Sequence, residues 1–183
     1  MRLSKIFIAI FAFGPLLAYA QESESIEWSP ATRLTWSDYL AKPGTRSDAA
    51  AITSTAIGIE YHVRNHSFGY SITCRFSKSR SWGRYKTSYI LAHEQGHFDI
   101  TEIYARLLSK ELRQYTFNPS TYQRDVSRIY QRVMEEKEAF QNLYDTETDF
   151  SRNKDKQVEW ITKINDQLEA TNDYAGYQAT VNL

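Results

Sequence analysis

Two histidines and a glutamate carry the chemistry most plainly written in this sequence: His93-Glu94-Gln95-Gly96-His97. Histidines four positions apart on an α-helix project from one face, a turn apart, so their imidazoles can converge on one ion. Zinc suits such a pair, because it takes nitrogen ligands in tetrahedral geometry at about 2.0–2.1 Å. Glu94 is placed at the rim of the same face. From there it can take a proton from a water that the metal has acidified, the general-base role in metal-assisted hydrolysis. Gly96 costs a helix interior about 1 kcal/mol, so a close approach of another backbone or of a substrate is expected there. The pattern predicts Zn2+ as cofactor, His93 and His97 as ligands and Glu94 as catalytic base.

A catalytic zinc takes a third protein ligand and leaves the fourth place to water. The motif's own helix cannot supply it. Asp99 lies about 200° round the helix from His97, and Glu102 about 140° from His97 and 180° from His93. Ile100 and Ile103 stand where a longer three-histidine motif would carry glycine and histidine. The ligand must come from another element. Candidates are Glu135, Glu136 and Glu138, then Asp145 and Glu147, and, upstream, His62 and His66. Glu135-Glu136-Lys137-Glu138 reads as a solvated face, and the two upstream histidines as surface residues. Asp145 follows Leu143 and Tyr144 at the end of an apolar helix, where a carboxylate can turn inward, and is the preferred third ligand.

The elements that must position these groups follow from periodicity. Ile52, Thr53, Thr55, Ile57, Ile59, Tyr61 and Val63 recur at or near period two. After the polar break Arg64-Asn65-His66-Ser67, the residues Phe68, Tyr70, Ile72, Cys74 and Phe76 alternate again. Together they predict a β-hairpin. Beyond Trp82 the period becomes helical. Tyr89, Ile90, His93, His97, Ile100, Tyr104, Leu107, Leu108 and Leu112 mark a first helix, stopped by Asn118-Pro119-Ser120. A second is expected over 122–144, with Leu143 on its apolar face, then a polar loop over 145–153. A third is expected over 155–168, carrying Val158, Trp160 and Ile164. Residues 34–40 suggest a short helix capped by Ser37, and the last dozen residues a loose tail. The fold class is α+β, a small antiparallel sheet packed with a helical half that carries the HExxH helix, as in zincins.

Composition narrows the function classes. Lys plus Arg and Asp plus Glu number 22 each, so no global field draws the chain to nucleic acid or anionic lipid. Cys74 is the sole cysteine, which excludes an internal disulfide, and its alternating setting reads as packing. Residues 1–20 have a basic start, an apolar run from Ile6 to Leu17 and Ala18-Tyr19-Ala20, the layout of a signal peptide. The run is short for a membrane span of about 20 residues. The expectation is an exported protein, periplasmic or extracellular, with no stable membrane insertion after cleavage and one domain over 21–183.

Several blocks together resemble a known family: Leu34-Thr35-Trp36-Ser37-Asp38-Tyr39, Ser81-Trp82, Leu91 to Ile100 around the histidines, Tyr144-Asp145-Thr146-Glu147-Thr148, and Gln157 with Trp160. They are similar to the bacterial secreted domain of unknown function 922, to which zinc-dependent proteolysis is ascribed on the strength of the motif. Relatives often carry a histidine where this chain has Phe150. If that histidine is a family ligand, this chain lacks it. The resemblance implies a peptide or protein substrate. On this reading a hairpin edge strand pairs with an extended substrate, and Tyr144 or Tyr104 steadies an oxyanion. Two other readings stay open: a catalytically inactive zincin-like binding module of the cell envelope, and a structural zinc site closed by four ligands.

Overall fold

The computed structural model describes residues 24–45, 47–64, 67–178 and 181–182. The expected signal peptide over residues 1–20 and the candidate ligand His66 lie outside them. Two small antiparallel sheets pack with three long helices, an α+β fold.

The larger sheet is built on a hairpin. In chain order its strands are β1 (Ser25–Glu27), β3 (Thr55–Arg64), β4 (Ser67–Ser77) and β6 (Val181–Asn182); the second sheet pairs β2 (Ala51–Ile52) with β5 (Trp82–Gly83). β3 and β4 run in register from Thr55 opposite Phe76 to Arg64 opposite Ser67. Period two sends Phe68, Tyr70, Ile72, Cys74 and Phe76 to one face of β4, and all five are fully buried. β1 and β6 pair with the far edge of β4, which leaves β3 at the sheet's border.

The helices are α1 (Ser88–Gln114), α2 (Tyr122–Glu147) and α3 (Lys154–Ala170). Thr87 starts α1, its hydroxyl accepting from the N–H of Ile90 at 3.1 Å. α1 is central, packed by β3, β4, α2 and α3. Phe98, Ile100, Ile103, Ala105, Leu108 and Leu112 are buried along it. Each large side chain so covered contributes about 1.5–3 kcal/mol relative to exposure. A helix wrapped on all sides holds the groups it carries at fixed positions, which is what a metal centre requires.

Four local expectations change. The segment near residue 37 is one 3-10 turn, Trp36–Asp38, and Thr35 rather than Ser37 precedes it. Asp38 organises it, its carboxylate accepting from the Thr35 N–H at 2.8 Å and hydroxyl at 2.7 Å. α2 continues to Glu147, because Thr148 extends its bonding by donating N–H and hydroxyl to the Tyr144 carbonyl. Asp145 therefore sits in the last helical turn, not in a loop. The tail is not loose: a 3-10 stretch spans Asn172–Gln178, and the fully buried Tyr177 donates its hydroxyl to Glu102. Finally, Leu143 and Val158 are 43% and 65% exposed. α3 packs through Trp160 and Ile164, and Val158, two residues before Trp160, points about 200° away. Among the described residues, no helix is long and apolar enough to cross a membrane.

Candidate metal centre

α1 and α2 lie antiparallel, with His93 opposite Asp145, His97 opposite Gln141 and Glu111 opposite Arg132. This pairing brings together groups fifty positions apart in sequence. The Nε2 atoms of His93 and His97 are 3.2 Å apart, and Asp145 Oδ1 is 3.1 Å from the first and 3.0 Å from the second. Tetrahedral ligands at about 2.0–2.1 Å from a metal stand about 3.3–3.4 Å from one another. The three atoms thus form a triangle close to the size that one zinc ion needs.

The tautomer of His97 is set by Gln141. The Gln141 amide NH2 donates to the His97 carbonyl at 3.0 Å and meets Thr101 Oγ1 at 3.3 Å. Its oxygen is thereby turned to accept from His97 Nδ1–H. The Nε2 of a neutral His97 is then a lone pair facing a carboxylate oxygen. Such an arrangement is repulsive until a proton or a metal cation lies between them. Burial works against a charged His97. The hydrogen bond and charge of Asp145, with Glu94 and Gln141, outweigh it and hold the pKa above the usual value. The same contacts act on Asp145. Burial would raise its pKa, but hydrogen bonds from His93 and His97 hold it well below the usual carboxylate range. His93 Nδ1 is buried and has no hydrogen-bond partner among the described residues. The donor set of two imidazoles and one carboxylate, preassembled and cation-seeking, fits zinc.

Tyr144 is the wall behind the ligands. Its ring stacks on His93 at 4.5 Å and meets His97 edge-on at 5.0 Å. Its hydroxyl donates to the His93 carbonyl at 3.2 Å. A Cβ at position 96 would lie 2.6 Å from that hydroxyl oxygen, so Gly96 makes room for Tyr144 rather than for a backbone or a substrate. Tyr144 is fully buried, and Tyr104 packs on Phe140 in the core. Neither lines the cleft, and the oxyanion role expected of them has no geometric basis.

Glu94 is only 5% exposed yet lines the cleft, and its carboxylate makes no hydrogen bond or ion pair among the described residues. A carboxylate without a hydrogen-bond partner beside a candidate metal triad is placed for proton transfer. The cleft itself encloses about 900 Å³. One wall is the chain over 48–55, which includes β2 and the first residue of β3. The other wall is the α2 face from Lys137 to Asp145. β2 and the start of the hairpin strand β3 both border the cleft, and Thr55 Oγ1 of β3 stands in a 2.7 Å hydrogen bond with Thr101 Oγ1 on α1. β2 pairs with β5 on one side only.

The remaining sequence candidates lie elsewhere. Asp99 accepts from Trp28 Nε1 at 2.8 Å and from Gln95 at 2.9 Å. Glu102 is buried against Arg106 at 2.7 Å. Glu147 accepts from Trp160 Nε1 at 2.8 Å. Glu135 is exposed, and Glu136 stands 3.9 Å from Arg132. His62 is exposed on β3 opposite Gly69. Lys137 departs from the solvated-face reading: it is buried, paired to Glu138 at 2.8 Å, and both line the cleft. Cys74 is fully buried, as its alternation implied, and burial pushes its thiol well up.

Residues 30–152 match the model of a family of bacterial proteins of unknown function, DUF922. The chain belongs to this family. No curated protein and no solved structure matches it. The DUF922 match takes in both cleft walls, α1 and α2, and stops before α3. Within it, Phe150 belongs to a turn in which Asp149, Phe150 and Ser151 all have positive φ, of 49°, 52° and 70°. Left-handed backbone costs a non-glycine residue about 1–2 kcal/mol. The turn sets Phe150 at the rim of the cleft, 59% exposed, beside Ser151 and Arg152.

Sequence reasoning missed Gln141 and the structural use of Ser81. Gln141 stands four residues before Asp145, and that helical spacing from a preferred ligand was the available signal. Ser81 is buried, donates to the Ser77 carbonyl at 2.6 Å and accepts from the Ser54 N–H at 2.9 Å. It pins the cleft wall to the end of β4.

Proposed function

We propose that this chain is an exported zinc-dependent peptide hydrolase, one domain over 21–183 following a cleaved leader. The observation that carries the reading is the triangle of His93, His97 and Asp145 with the unpaired Glu94 beside it in an open cleft. Zinc held by those three residues would supply a Lewis acid and a more acidic water. Glu94 takes a proton from the attacking water and returns it to the leaving nitrogen. Asp145 and the Gln141-oriented His97 keep the ligand atoms aimed at one point, so little reorganisation is needed. The cleft wall at β2 offers an edge along which an extended peptide can pair.

The test is metal analysis of the mature protein beside its His93→Ala variant, followed by a peptide-library digest with wild type and Glu94→Gln. One zinc per wild-type chain, none in the histidine variant, and cleavage lost in Glu94→Gln are expected. Zinc content equal in wild type and His93→Ala refutes the metal centre. Stoichiometric zinc without cleavage refutes catalysis and favours a structural zinc site.

A further inference from the structure

We propose that Lys137 recognises a carboxylate of the substrate, so that the cleft selects peptides bearing an acidic side chain or a free C-terminal carboxylate. The inference rests on the hydrolase reading and adds the substrate class.

Lys137, Gln141 and Asp145 are spaced by four along one face of α2, and all three line the cleft. Lys137 lies about 12 Å from Asp145 along the helix axis, at 1.5 Å per residue. An extended peptide covers that distance in about three or four residues. Two cations line the cleft: Arg152, 70% exposed beside Phe150 and paired to Asp149 at 2.9 Å, and Lys137, which is the buried one.

Lys137 itself is 8% exposed, an unusual state for a lysine, which is rarely buried unless paired. Its one hydrogen-bonding or ion-pair partner among the described residues is Glu138 Oε1 at 2.8 Å. That partner's side chain is 65% exposed and also borders the cleft. An ion pair with so exposed a carboxylate is weak and exchangeable. A substrate carboxylate can displace Glu138 from a lysine whose stem is already held by burial, at little cost in ordering. Glu138 then competes with the substrate, and the two residues have opposite effects on affinity.

The experiment uses zinc-loaded Glu94→Gln protein and capped octapeptide sets in which each position in turn is Glu or Gln, ending in an amide or a free acid. Binding is read by fluorescence anisotropy. A carboxylate at one internal position, or at the C-terminus, is expected to tighten binding about tenfold, the worth of one hydrogen bond to a charged group. The internal and terminal arms separate the two sources. Adding Lys137→Met removes the preference, and adding Glu138→Gln enlarges it, while peptides without the carboxylate bind all three proteins alike. Equal binding of Glu and Gln peptides overturns the role of Lys137. So does a preference that survives Lys137→Met. If Lys137→Met fails to fold, judged by its melting curve, an unchanged preference in Glu138→Gln overturns the proposal instead. Binding without acid preference, with cleavage by wild type intact, removes only this inference; no binding and no cleavage removes the hydrolase reading as well.

Discussion

Replacing Gly96 by alanine sets helix propensity against packing. In an open helix interior the change stabilises by about 1 kcal/mol. Here the new Cβ would lie 2.6 Å from Tyr144 Oη, 3.0 Å from Cζ and 3.1 Å from Cε1. The ring cannot retreat easily, since it stacks on His93 at 4.5 Å, packs on Trp160 at 5.3 Å and has no exposed surface. Overpacking a core site costs about 1–3 kcal/mol, and contact with a wedged ring puts this site in the upper part of that range. The net is a loss of about 1–2 kcal/mol, or about 2–8 °C in Tm for a chain of this size. The assay is thermal unfolding in chelator, so that metal binding does not enter. Tyr144→Phe removes the closest atom, so Gly96→Ala should cost less in that background than in wild type. Gly176 is the control: a Cβ there would meet nothing within 4 Å, its φ is −78°, and alanine should be neutral or mildly stabilising. A rise in Tm for Gly96→Ala would refute the reasoning, since it would show that the Tyr144 ring yields freely.

Gln141→Ala should weaken zinc binding by about 10–100-fold, measured by competition with a chromophoric chelator, because His97 loses the acceptor that sets its tautomer. An unchanged affinity would mean that Asp145 alone orients the site. Asp38→Ala should destabilise by about 1 kcal/mol at neutral pH. Burial works against the Asp38 carboxylate, but its bonds from Thr35 and the charge of Lys78 lower its pKa below 3.8. A lowered folded pKa means stability that is present above the unfolded value and lost as pH falls through the folded one. The difference between wild type and variant should therefore shrink below about pH 4 in urea melts. A gap that stayed constant to pH 2 would place the effect in packing.

Much of this molecule is legible locally. Alternation in 68–76 buries one face of β4, which needs no knowledge of its partner; the three- and four-residue steps of 89–112 announce a helix, but residues 100–106 are buried all round it. The two histidines and Glu94 share a helical repeat, so their convergence also follows from spacing. The loops read less well. The left-handed turn at 149–151 has no glycine to announce it, and Tyr177 is buried only because Glu102 and the back of α1 receive it.

The sequence by itself determined the two imidazoles, the carboxylate beside them and the exclusion of Asp99 and Glu102, because helix geometry settles which residues share a face. Only the tertiary structure decided what completes the site. The antiparallel packing of α2 on α1 brings Asp145 within 3.1 Å of His93 and Gln141 onto His97, and turns Lys137 from a surface charge into a cleft wall. Those are distances between elements, and no local period encodes them.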